Sequence, residues 1–163
     1  MKIVHWLFLV SVALFVSGIG FVIAGARAAR AAPAAEAGPA LTPVASVKQI
    51  MNAIVGPAAS AVFESVSTTV SFAGIDEKQP RSDAEWESVG NSAAALIESG
   101  NLMLMGSRVV DKDDWVRMAQ ALVDAGKLTL EATRAQNAEQ LLAAGEKVNI
   151  SCDDCHRKYQ RGS

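Results

Sequence analysis

From Val44 onward, apolar residues recur three, four and seven positions apart, the period of a helix that buries one face. The first such stripe is Val47, Ile50, Met51, Ile54, Ala58, Ala61, Val62 and Val66. Gly56-Pro57 falls inside it. A proline there lacks a backbone donor and crowds the preceding turn, which predicts a kink or break near Val55. Residues 74–81 are polar, contain Pro80, and read as a loop. The second stripe (Trp86, Val89, Ala93, Leu96, Ile97, Met103) opens on Ser82-Asp83-Ala84-Glu85, a capping box, and ends near Gly106. The third begins after Asp111, with Asp113 and Asp114 suited to the positive end of a helix. It runs through Trp115, Met118, Ala119, Leu122, Gly126, Thr129 and Thr133. The fourth follows Asn137-Ala138-Glu139-Gln140, read as a second reciprocal cap. It carries Leu141, Leu142, Gly145, Val148, Cys152, Cys155 and Tyr159. No segment alternates with period two and no hairpin signal stands out. The expected fold is all-α: an antiparallel four-helix bundle over residues 44–163.

The N-terminus has a different pattern. After Lys2, the 24 residues from Ile3 to Ala26 carry no charge and are interrupted only by His5. Such a run exceeds the roughly 7 to 15 residues of a signal-peptide core and is long enough to span a bilayer. Small residues at Ala24-Gly25-Ala26 and from Ala28 to Ala32 offer cleavage sites. Residues 1–29 are therefore either a cleaved signal peptide or an uncleaved membrane anchor. Both place the remainder outside the cytoplasm, and the expected location is periplasmic. Residues 30–43, rich in Ala and Pro, read as a semi-extended linker.

Composition adds two exclusions. Hydrophobic residues make up 50% of the 163, so the chain as a whole is not disordered. Of its 15 Lys and Arg, three (Lys2, Arg27, Arg30) precede position 32, so twelve face all 17 Asp and Glu in the rest, a formal charge of −5. With no basic cluster, nucleic acid is not an expected partner.

Chemistry is concentrated in Cys152-Asp153-Asp154-Cys155-His156. Two thiols can form thioethers with the vinyl groups of one haem, and the adjacent imidazole can take an axial position on its iron. On a helix the three residues share a face, being separated by three and four positions. The competing readings fit less well. A thioredoxin-like dithiol belongs near a βαβ pattern, and a structural zinc site wants four Cys or His ligands. The expected cofactor is one covalently attached haem c, with Cys152 and Cys155 as thioethers and His156 as proximal ligand.

With a helical bundle ahead of it, and Tyr159 three places beyond His156, the Cys-Asp-Asp-Cys-His-Arg-Lys-Tyr segment resembles the class II c-type cytochromes, which include cytochrome c′ and the low-spin cytochromes c-556. The resemblance spans roughly residues 44–163 and departs from the pattern at Gly56-Pro57. His5 lies in the export segment, so a second histidine ligand is not expected, and methionine is the remaining soft donor. Met51, Met103, Met105 and Met118 are available. The resemblance implies a distal ligand on the first helix, where Met51 is the methionine present. The alternative for Met51 is ordinary core packing.

Trp86 and Trp115 read as core anchors, and Met103 and Met118 as packing. Lys48 reads as a solvated lysine, with a haem propionate as its alternative partner, and Asp153 and Asp154 as solvent-facing. The expected function is single-electron transfer by a His/Met-ligated monohaem protein rather than enzymatic turnover. Its negative domain suits redox partners with basic docking surfaces. The alternative is a five-coordinate haem that binds NO or CO, with Met51 and Ile54 as pocket walls. A peroxidase-like enzyme ranks behind both, since no distal histidine is available. Membrane association through residues 1–29 and homodimerisation both remain open.

Overall fold

The computed structural model describes residues 2–31 and 42–160 of the chain, which divides into two compact units, Met1–Leu41 and Thr42–Ser163. Most of the proposed 30–43 linker lies outside the described residues. Among the described residues the first unit contains one helix, α1 (Lys2–Ala31). Its apolar stretch Ile3–Arg27 covers 25 residues with mean hydropathy 2.6, and every one of those side chains is exposed. At 1.5 Å per residue that stretch is about 37 Å long, more than a hydrocarbon core of about 30 Å requires. By length and composition it could cross a membrane or serve as a signal.

The second unit is mostly helical. It contains α2 (Val47–Ile50), a π-helical turn (Met51–Val55), α3 (Gly56–Phe63), α4 (Asp83–Met103), α5 (Asp114–Arg134) and α6 (Ala138–Tyr159). The first three are consecutive and form one helical rod. This rod packs on α4, α4 on α5, α5 on α6, and α6 returns to α3. Leu96, Leu141, Val62 and Val148 are fully buried where these elements meet. Gly100 and Gly126 set the close approach of α4 and α5: a Cβ on Gly100 would lie 2.5 Å from Val123 Cγ2, and one on Gly126 2.7 Å from Ile97 Cγ1.

The expected break near Val55 takes another form. The Gly56 N–H bonds the Met51 carbonyl five residues back, and the rod continues through Pro57. Widening the turn relieves the clash between the proline ring and the preceding carbonyls while keeping the chain helical. The extra residue shifts the buried stripe. Val55, Ala58, Ala59 and Val62 are buried, whereas Ile54 and Ala61, expected on that face, are exposed. The other stripes follow the 3.6-residue period, except that Leu142 is half exposed.

The caps also differ in detail. Ser82 and Glu85 form the expected capping box, and an unanticipated one joins Ser46 to Gln49. Asn137 accepts a hydrogen bond from the Gln140 N–H, the forward half of the reciprocal cap expected there. Asp113 occupies the N-cap of α5 without a side-chain bond; Asp111 Oδ1 instead accepts from the Asp113 and Trp115 N–H groups at 3.0 Å each.

Between α3 and α4, where residues 74–81 were expected to form a loop and no strand was expected, the chain forms a strand pair. β1 (Ser67–Ser71) pairs antiparallel with β2 (Gly74–Lys78), with Val70 opposite Ile75 and a two-residue loop at Phe72-Ala73. All ten strand residues are exposed, so no burial imposes the period-two alternation that marks a strand in sequence. The available signals were the β-branched run Thr68-Thr69-Val70 and the turn-forming Gly74, whose φ is +127°.

Candidate functional site

Leu141, Ala144 and Val148 pin one face of α6 into the core. Continuing that face by three- and four-residue steps brings Cys152 and Cys155 inward at the helix's C-terminal end. Both thiols are half-buried, while the adjacent imidazole of His156 is exposed. All three border an apolar cleft of about 430 Å³, counted out to its mouth. Met51 and Val55 of the π-helical turn supply another wall, with Met103 from α4 and Trp115, Met118, Ala119 and Leu122 from α5. Met51 and the Cys152–His156 segment, a hundred positions apart, thus share one cavity. Met103 and Met118 line it as well as packing the core; Met105 does not line it. Val55 takes the wall position expected of Ile54.

The last turn of α6 is fixed to the start of α5. The Tyr159 hydroxyl donates to Asp111 Oδ2, and its ring meets that of Trp115 edge-on, with centroids 5.0 Å apart and planes at 81°. Trp115 Nε1–H donates to the Met103 carbonyl at 2.9 Å, joining two walls of the cleft. The Tyr159 hydrogen bond, followed by that from the Trp115 N–H, holds the Asp111 carboxyl below its usual range. Burial, and then the bond to Asp111, raises the Tyr159 phenol. These contacts position the helix end that carries the cysteines.

Arg108 was not recognised from sequence. It is buried, donating from Nε to the Ala45 carbonyl at 3.0 Å and from Nη1 to the Leu102 carbonyl at 3.2 Å. It ties the approach to the first helical rod to the end of α4, next to the cleft residue Met103. An isolated arginine after a helix gives no sequence signal of such burial. Of the polar residues judged from sequence, Lys48 and Asp153 are exposed as expected. Asp154 is half-buried and pairs with Arg157 at 2.9 Å.

Burial pushes both thiols above their ordinary pKa. For Cys152 a bond from Ser151 opposes the rise and the Asp153 charge adds to it; for Cys155 the neighbouring Cys152 adds to it. The thiols are therefore protonated at neutral pH, and they sit at the negative end of the helix dipole. Dithiol redox sites lower their pKa by lying at the positive end. Among the described residues, no three His, Cys, Asp or Glu side chains come together as a group that could hold a metal ion by themselves.

The cleft brings two thiols, an imidazole and a thioether to one apolar lining, side chains whose chemistry suits an apolar group attached through sulfur. Its walls are apolar, and its soft donors come from two separate elements. Compared with protein-family models, curated proteins and solved structures, the chain finds no match.

Proposed function

We propose that the chain is an exported monohaem c-type cytochrome that carries single electrons. The observation that carries this reading is the convergence of Cys152, Cys155, His156 and Met51 on one apolar cleft. In this reading the second unit is a four-helix bundle. The Cys152 and Cys155 sulfurs bond the haem as thioethers, His156 is the proximal ligand and Met51 the distal one. A bound haem supplies a one-electron iron couple whose potential methionine ligation raises. Val55, Ala119 and Leu122 exclude water, while Tyr159 and Asp111 hold the end of α6 in place. The helix α1 directs export to the periplasm, as a cleaved signal or as a retained anchor.

The full chain, produced in a host that attaches haem, is expected to gain the mass of one haem and a methionine–iron charge-transfer band at the red edge of the visible spectrum. Met51→Ala should lose that band and bind CO in the ferrous state without displacing a ligand. An unchanged spectrum in Met51→Ala rejects the ligand assignment. If the unmodified protein instead lacks the band and binds CO directly, it is a gas-binding haem protein. A colourless product with both thiols open to alkylation rejects the haem reading itself.

A further inference from the structure

Two aromatic rings in contact join the wall of the cleft to the protein surface. The Trp115 indole is buried in that wall, which also carries the sulfur side chains of Met51, Met103, Met118, Cys152 and Cys155. Its ring meets that of Tyr159 at a centroid distance of 5.0 Å. Tyr159 is the single tyrosine of the chain and is half-buried, so part of it reaches solvent. Indole and phenol are the aromatic side chains that give up one electron most readily, and rings this close exchange electrons with nothing between them. Trp86 stands apart: it lies seventeen residues, about 25 Å of helix, ahead of Met103, whose carbonyl holds the Trp115 Nε1–H.

The hydrogen bonds at the two rings give the pair a direction. The Trp115 Nε1–H donates to a backbone carbonyl, which is no base, so an oxidised indole there keeps its proton. The Tyr159 hydroxyl donates to a carboxylate oxygen, Asp111 Oδ2, while Asp111 Oδ1 accepts from the Asp113 and Trp115 N–H groups. A phenol that has lost an electron is a strong acid, and even a carboxylate of lowered pKa takes its proton. The Lys158 ammonium, 5.4 Å from the Tyr159 ring centroid, disfavours positive charge on that ring and so favours loss of the proton together with the electron. The oxidised state therefore comes to rest on Tyr159, as a neutral radical, rather than on Trp115.

We infer that Trp115, Tyr159 and Asp111 form a relay that carries oxidising equivalents out of the cleft and spares its sulfurs. A peroxyl or alkoxyl radical that enters the cleft takes one electron from Trp115 and leaves as its anion. Tyr159 returns an electron to Trp115 as its phenolic proton passes to Asp111. A thiol or enediol in solution then reduces the Tyr159 radical by one electron, and Asp111 hands the proton back. Without the relay, such oxidants attack sulfur and convert methionine to its sulfoxide. The relay uses only the chain's own side chains and stands whether or not haem occupies the cleft.

One-electron oxidation of the full, air-oxidised chain by photogenerated tris(bipyridine)ruthenium(III) tests the relay, with the radicals read by electron paramagnetic resonance after freezing. All samples carry Trp6→Phe, which removes an exposed indole. A tyrosyl signal is expected, and with a single tyrosine it belongs to Tyr159. Trp115→Phe should lower its yield severalfold, whereas Trp86→Phe should leave it unchanged. Tyr159→Phe should replace it with a longer-lived indole radical, and Asp111→Asn should do the same in part. After exposure to peroxyl radicals, Tyr159→Phe should also accumulate more sulfoxide at Met51, Met103 and Met118, seen by peptide mass spectrometry. An undiminished tyrosyl yield in Trp115→Phe would mean direct oxidation of Tyr159 from solvent and would overturn the inference. Should that variant fail to fold by circular dichroism, an indole radical in Tyr159→Phe that lives no longer than in the parent would overturn it instead. Organic radical signals lie apart from those of ferric haem, so the outcome is read with or without attached haem. Failure of the relay is thereby distinct from failure of the haem reading.

Discussion

The two walls of the cleft that carry its distinctive donors, α6 and the rod from Val47 to Phe63, are both helical, yet they hold those donors by different means. On α6 the donors are consecutive with the core: regular steps from Leu141 and Val148 carry Cys152 and Cys155 inward. On the rod, Met51 opens a turn that contains one residue more than an α-helix would, and the core face jumps from Ile50 to Val55. A regular helix displays whatever its spacing dictates. A π-helical turn can absorb a proline and change the facing of the residues within it, at the cost of poorer backbone geometry.

Removing the sulfurs should have the largest effect. Cys152→Ser with Cys155→Ser should abolish covalent attachment entirely, seen as loss of the haem mass, with helical circular dichroism retained because neither side chain is fully buried. Single-residue deletions probe the two helices directly. Deleting exposed Glu146 from α6 turns everything beyond it by about 100° relative to the core and should abolish attachment. Deleting exposed Ala53 from the π-helical turn restores α-helical spacing between Ile50 and Val55 but brings back the Pro57 clash of about 3 kcal/mol, so haem attachment should persist while the melting temperature falls by about 10 °C. Equal damage from both deletions would refute the contrast. The smallest effect concerns Asp114, whose pKa falls from 3.8 to about 2 through its hydrogen bonds to Lys158 and Arg117. A depressed carboxyl favours the folded state above its unfolded pKa, and that support disappears as pH falls from 3.8 towards about 2. Asp114→Asn should therefore melt with a shallower pH dependence across that window, and high salt should diminish the difference.

Much of this organisation was legible in the sequence. The boundaries of α4, α5 and α6 follow from Ser82, Asp111 and Asn137 together with strong periodicity, and Cys152, Cys155 and His156 are readable because five consecutive residues contain them. Met51 could be named, but not its neighbours: Val55 replaces Ile54 because Pro57 alters the spacing from a position outside the turn itself. The hairpin escaped because its ten exposed residues answer to no core. Arg108 and the Asp111–Tyr159 bond escaped because they join positions brought together only by packing, 63 residues apart for Arg108 and Ala45 and 48 for Asp111 and Tyr159.

The hairpin loop Phe72-Ala73 makes the molecule easy to handle in the laboratory. Phe72 stands wholly in solvent, and the loop follows the end of α3, twelve residues or about 18 Å of helix beyond Met51. Exposed tips of this kind accept inserted sequence readily. An epitope or fluorophore placed there would report where the domain resides in a living cell while leaving both termini, and the cleft, as they are.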